Sequence, residues 1–264
     1  MNKIKIGKLE ISQLIIGGNP FSGFSHQTIE KDLEMKKYYT VARIKETLKN
    51  AESLGVNTHI SRADNYVMRY LLEYWGEGGT IQWIAQTCPE LGDIEGGIKN
   101  AIGNGAKGCF IHGGTMEYLF AQNKIDCING IIKVIKDSGL IAGVAGHDPK
   151  VFKWAEENIN VDFYMMSHYN PESRDKIPSH VSGVIEVFSN EDRQLMMDTI
   201  SKITKPVIHY KVMAGGRNDP IDTYKNLSKV MKGNHAVCIG IYTKENANMI
   251  AENVKLLEEN IKIR

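Results

Sequence analysis

The chain lacks an excess of either charge, any long apolar run and any paired cysteine motif, and each shortage removes a class of function. Lys+Arg 32 stands against Asp+Glu 31, a net charge of +1. No basic run interrupts that balance, so nothing matches a phosphate backbone and no nucleic-acid partner is expected. The longest apolar stretches fall far short of the roughly 20 residues that cross a bilayer. The opening MNKIKIGKLEIS alternates like a hairpin and has no signal-peptide core. No membrane partner is expected, and the location read from this is cytoplasmic. The four cysteines, Cys88, Cys109, Cys127 and Cys238, show no CxxC spacing. That argues against a zinc knuckle, an iron–sulfur cluster and a disulfide scaffold, and fits reduced thiols. There is no GxGxxG fingerprint, no P-loop and no HExxH.

What is present is alternation. The 264 residues, 42% of them hydrophobic, suffice for one α/β barrel of about 250 residues. After a hairpin over 2–10, short apolar runs predict strands at ISQLIIG (11–17), VNTHIS, IQWIAQT, KGCFIH, LIAGVAG, VDFYMMS, KPVIHYKVM and HAVCIGIY. Between them, longer segments such as TVARIKETLKNAESLG and KIDCINGIIKVIKDSG carry apolar residues at helical spacing. Eight strands alternating with eight helices predict a single (β/α)8 TIM barrel over residues 1–264, an α/β fold with an N-terminal β-hairpin. Two connections, 18–38 and 168–189, exceed ordinary barrel loops, and long loops at a barrel mouth often hold substrate.

Five histidines fall at the predicted C-terminal strand ends, where such barrels build their sites: His59, His112, His147, His168 and His209. Imidazole is the commonest metal ligand. His112, His147 and His168 come from adjacent strands about 4.8 Å apart and are the expected ligands of a divalent ion, zinc, manganese or similar, with His59 and His209 in reserve. Alternation puts His209 and Lys211 on one face of the seventh strand and Ile208 and Tyr210 on the other. If the apolar face meets the helices, His209 and Lys211 point inward, and Lys211 serves as base or Schiff-base nucleophile. Asn19, Arg62, Asp64 and Gln86, with Glu90, are polar residues at or past strand ends and suit a polyhydroxylated or carboxylated substrate. AGGR (214–217) offers backbone N–H groups and Arg217 to an anion. Met165 and Met166 read as core.

The register of KIGKLEISQLIIGGNPF, ETLKNAESLGVNTHISRADNY, CFIHGG, DSGLIAGVAGHDPKVFKWAEENINVDFYMMSHYNP and KPVIHYKVMAGGR resembles the aldo-keto reductase superfamily over most of the chain, as a divergent branch. The resemblance implies NADP and a Tyr, Lys, His and Asp tetrad. It puts Tyr66 in the place of the proton-donating Tyr and His112 in that of the His. The Asp place falls on Ser61 or a neighbour, with Asp64 close by. The Lys is missing, since IAQTCPE offers Thr87 or Cys88. The closing segment keeps Lys244 and Asn253 but lacks a cluster for the 2′-phosphate of NADP.

These features together predict an enzyme acting on a small carbohydrate-like or oxo-acid substrate by elimination, isomerisation or hydrolysis. A divalent metal assists, and Lys211 or a histidine moves the proton, with Lys211, His209 and Tyr66 as the catalytic candidates. Two alternatives stand beside it: an NAD(P)H-dependent reductase with a degenerate tetrad, and a non-catalytic metabolite-binding barrel.

Overall fold

The structure is a computed structural model and describes residues 1–181 and 183–261. A hairpin of β1 (Lys3–Ile6) and β2 (Leu9–Ser12) precedes the barrel. The wall is β3 (Leu14–Gly17), β4 (Thr58–Arg62), β5 (Gln82–Gln86), β6 (Gly108–Ile111), β7 (Ile141–Gly146), β8 (Phe163–Ser167), β9 (Val207–Tyr210) and β10 (Ala236–Gly240). All eight are parallel, in sequence order, and β10 closes onto β3. Around them lie α1 (Ile29–Tyr38), α2 (Val41–Ser53), α3 (Asn65–Gly76), α4 (Ile94–Gly103), α5 (Gly113–Ala121), α6 (Ile128–Asp137), α7 (Pro149–Asn158), α8 (Asn190–Lys202), α9 (Pro220–Leu227) and α10 (Met249–Asn260). Among the described residues no helix is long and apolar enough to cross a membrane.

The helices begin where side chains replace missing backbone partners. Thr40, Asp64 and Ser189 accept from Arg43, Val67 and Asp192 N–H at the starts of α2, α3 and α8. In α2, Ile44, Leu48 and Ala51 are buried at helical spacing against the barrel. Two helices depart from the expected pattern. The first, α1, lies inside the segment 18–38 and is too polar to show a stripe. The second, α5, starts directly at the double glycine, and its first five residues are all buried, so it shows no polar face to read. The hairpin runs two residues further than expected and takes Ile11 and Ser12 from the first predicted strand.

Two apolar clusters divide the core. Inside the barrel lie Ile15, Ile60, Ile84, Phe110, Ala145, Phe163, Met165, Ile208 and Cys238, with Ile4, Ile6 and Ile11 of the hairpin closing the bottom. Outside, Leu14, Ile16, Val144, Tyr164, Met166, Val207 and Val237 meet the helices. Both faces of a parallel strand are therefore apolar. This corrects the expected direction of β9, because Ile208 and Tyr210 face inward and His209 faces the helices.

The same parity turns His59 and His168 outward. His59 Nδ1 donates to the Ile16 carbonyl at 2.9 Å and Nε2 accepts from Tyr70 Oη at 2.8 Å. His168, His209 and His235 form a buried chain of imidazoles, 3.0 Å at each link. Burial above all holds these rings neutral: His59 and His235 fall to about 4 and His168 to about 3. His209 lies well below its ordinary 6.5, by burial and then by its two histidine neighbours.

A histidine that resists protonation only when folded makes the unfolded chain the better proton acceptor. Stability from this source is complete above pH 6.5 and is lost as pH falls towards the folded values. The urea midpoint should therefore drop between about pH 7 and about pH 5, as the unfolding free energy falls by up to about 1.4 kcal/mol per pH unit for each buried histidine. His235→Asn should flatten that slope. A midpoint that does not move over this range contradicts the buried neutral chain.

Candidate active site

At the C-terminal ends of the strands lies a cavity of about 370 Å³. Strand parity decides what enters it. Arg62, Gln86, His112 and His147 continue the inward rows of β4, β5, β6 and β7, and all four line the cavity with Asn19. Lys211 also lines it, though alternation would send it outward after the inward Tyr210. Its φ of 55° breaks the strand and turns the side chain over the mouth. Lysine pays a conformational penalty there, and such outliers cluster at functional sites.

His147 sits in a hydrogen-bonded relay. Buried Glu117, from α5, accepts from the backbone N–H of His147 and Asp148 and lies 3.1 Å from His147 Nδ1. Burial pushes the Glu117 carboxyl up. The charge of His147 and these hydrogen bonds pull it further down, and it ends below the ordinary carboxylate range. His147 Nε2 lies 3.2 Å from Tyr210 Oη, and the protonation of the ring decides which of the two donates. His112 caps α5, its Nδ1 is buried without a partner among the described residues, and its pKa lies well below 6.5. Burial is the largest cause, and the charges of His147, Arg174, Arg62 and Lys211 add to it.

The described residues of 168–189 form no helix or strand, and the segment covers one side of the mouth. It contributes Arg174 and His180 to the cavity wall. Arg174 pairs with Glu172 at 2.9 Å and donates to the Ser179 carbonyl at 2.7 Å, while its Nε is buried without a hydrogen-bond partner among the described residues. Glu186 meets His26 at 2.8 Å and Lys211 at 3.5 Å. Burial lowers Lys211 to about 8 despite Glu186, and Arg174 lowers it further. Arg62, Arg174 and Lys211 thus border one cavity, each paired with carboxylates: Arg62 with Asp64 and Glu90, Arg174 with Glu172 and Lys211 with Glu186.

The expected site residues divide accordingly. The structure brings His112, His147, Lys211, Asn19, Arg62 and Gln86 together. His59, His168 and His209 lie outside the wall, so the expected metal set of His112, His147, His168 and His59 does not converge. Tyr66 is 41% exposed and donates to the Tyr39 carbonyl, away from the cavity, and burial together with Asp64 raises its pKa. Asp64 caps α3 and pairs with Arg62 at 2.7 Å. Arg217 binds the carbonyls of His26 and Ala214 at 3.0 and 2.9 Å and braces the loop. Sequence reasoning missed Glu117, Tyr210, His26, Arg174, His180 and Glu186. The last four lie in the two long connections, whose length was the available signal.

No protein-family model matches this chain, and no curated protein matches its sequence. Solved structures share its fold. A Pseudomonas aeruginosa protein provisionally named an aldo-keto reductase is 13% identical, with a TM-score of 0.65 over 97% of this chain and 94% of that one. An aldo-keto reductase of Bacillus halodurans in its holo form is 13% identical, with a TM-score of 0.56 over 100% and 97%. A truncated 3-deoxy-D-arabino-heptulosonate 7-phosphate synthase of Thermotoga maritima is 14% identical, with a TM-score of 0.58 over 100% and 95%. The barrel is aldo-keto-reductase-like in architecture, at identities that speak for the fold alone.

The covering segment rests on a glycine. A Cβ on Gly114 would stand 2.0 Å from the Pro178 carbonyl oxygen, which is backbone and cannot turn aside. Overpacking of this kind costs about 1–3 kcal/mol, and about 1.4 kcal/mol is tenfold in an equilibrium. Gly114→Ala should therefore speed proteolysis within 172–188 by about tenfold or more. Unchanged cleavage would show that the segment does not rest there.

Proposed function

We propose that this chain is an enzyme that moves protons on a small anionic oxo- or hydroxy-compound, of the sugar-acid or oxo-acid class. The observation that carries the reading is the Glu117–His147–Tyr210 relay opening on a cavity bordered by Arg62, Arg174 and Lys211. Arg174 Nε and His112 Nδ1 are buried and have no hydrogen-bond partner among the described residues, and the side chains that carry them line the cavity. A carboxylate or phosphate bound there would suit these cationic and imidazole groups. In this reading Arg62 and Arg174 hold the anion and Gln86 binds a hydroxyl. Lys211 takes a proton from the carbon beside a carbonyl. Tyr210 gives its proton to the carbonyl oxygen and takes one from the His147 imidazolium, whose charge Glu117 balances, and the resulting enol is reprotonated or expels a leaving group. Polarising the oxygen while removing the proton keeps charge from building up on the substrate.

Nicotinamide-dependent reduction is a second reading, favoured by the fold neighbours and by the cavity's extension along Gly240, Tyr242, Met249 and Asn253. The residues there suit a dinucleotide poorly. Lys244 is paired with Glu34 at 2.9 Å and Lys31 with Glu245. Asn253 is engaged by Tyr224 Oη at 3.0 Å and the Met249 carbonyl at 2.7 Å. Glu245 itself lines the cavity. Among the described residues the strand-end histidines offer a metal no converging ligand set.

Proton abstraction is visible without knowing the product. Incubation in D₂O with a panel of keto-sugars and sugar acids should exchange a C–H for C–D, followed by NMR. Lys211→Met should slow that exchange by about 10²–10⁴-fold, the usual contribution of a general base, while Tyr66→Phe leaves it intact. If no compound exchanges while NADPH is consumed with a carbonyl substrate, the reductase reading replaces this one.

A further inference from the structure

Two connections far apart in sequence meet over the mouth through atoms that ligate metals. His26 lies between β3 and α1, and His180 and Glu186 lie between β8 and α8. Their ligating atoms all lie within 4.8 Å of one another, and among the described residues this is the one such trio of His, Cys, Asp or Glu. His26 Nδ1 stands 2.8 Å from Glu186 Oε2, and His180 Nδ1 stands 4.0 Å from Glu186 Oε1. Ligands about 2.0–2.2 Å from a tetrahedral zinc are about 3.3–3.6 Å from each other, so the observed spacings bracket that geometry.

Three further observations point to an ion rather than a closed hydrogen-bond cluster. His180 Nδ1 is buried and has no hydrogen-bond partner among the described residues. The Glu186 side chain is only 2% exposed and places a buried negative charge between two imidazoles, with the Lys211 ammonium as its counter-ion at 3.5 Å, a place a divalent ion can take over. His26 Nε2 lies 3.0 Å from the Asn19 side-chain amide. A flip of that amide lets its oxygen accept the Nε2 proton while Nδ1 binds metal, the arrangement that orients most metal-bound imidazoles.

We propose that His26, His180 and Glu186 bind one divalent transition-metal ion, zinc being the best match to two imidazoles and a carboxylate, and that the ion clasps the two connections over the mouth. These ligands are not those suggested by the strand-end histidines, and the site does not depend on the proton-transfer reading. It bears on Lys211, whose Nζ lies 3.2 Å from His26 Nδ1 and 3.5 Å from Glu186 Oε1 and so holds part of the space the ion takes. Ion and ammonium repel each other, and metal binding turns Lys211 into the cavity.

The probe is the metal alone, added to the full chain purified without chelator. Co²⁺ titration should give one equivalent with the visible absorption of a low-coordinate site, and Zn²⁺ should abolish that absorption by displacement. His180→Asn and Glu186→Gln should each weaken Co²⁺ by about 100-fold or more, beyond what loss of an outer-shell partner costs. His112→Asn should leave the affinity unchanged. Lys211→Met should tighten it by about tenfold or more, because a repelling charge is removed. Zn²⁺ should protect residues 172–188 from proteolysis in the parent chain and not in Glu186→Gln. Circular dichroism and a thermal melt identify any variant that fails to fold, and His26→Asn then takes its place. The proposal is overturned by less than one equivalent of bound Co²⁺, or by folded His180 and Glu186 variants that bind as the parent does.

Discussion

Closure of the barrel is the constraint on which everything else depends. Each strand donates and accepts along both edges, from β3 around to β10 and back, so none can slip by one residue without disturbing its two neighbours. A slip would also exchange the inner and outer faces of that strand. Closure thereby fixes which residue at each strand end reaches the mouth. Arg62, Gln86, His112 and His147 reach it because Ile60, Ile84, Phe110 and Ala145 already face inward. His59, His168 and His209 are excluded by the same rule. They become wall-to-helix contacts whose hydrogen bonds compensate for burial of a polar ring.

This explains what the sequence disclosed and what it hid. Strand–helix alternation made the barrel legible, since its period and its turn residues repeat along the whole chain. The direction of β9 was not legible, because in a parallel strand both faces are apolar and neither the interior nor the helix layer is marked. Lys211 was placed at the mouth by an alternation argument that assigned the faces the wrong way round, and it arrives there through a left-handed backbone that no spacing rule contains. Helix α5 was hidden by its burial, and with it Glu117, the residue that orients His147.

The site is assembled from two sources. The strand ends supply His112, His147, Arg62 and Gln86 on a fixed frame. The long connections supply His26, Arg174, His180 and Glu186, and they touch that frame where Pro178 approaches Gly114. Such a division suits a site that admits a small molecule and then excludes water. The likeness to aldo-keto reductases resides in the frame. The tyrosine that likeness would make catalytic faces elsewhere, and Tyr210, on a different strand, occupies the mouth instead.

The central claim is that this mouth recognises a small anion through buried cationic donors. Isothermal titration of matched pairs, small hydroxy- and oxo-acids against their neutral amides, tests it most directly. A charge-assisted hydrogen bond is worth about 1.5–3 kcal/mol, so the acid of the best pair should bind at least about tenfold more tightly than its amide, and Arg174→Met should remove that preference. Equal affinity for acid and amide across the panel, or a preference that survives Arg174→Met, would contradict the account.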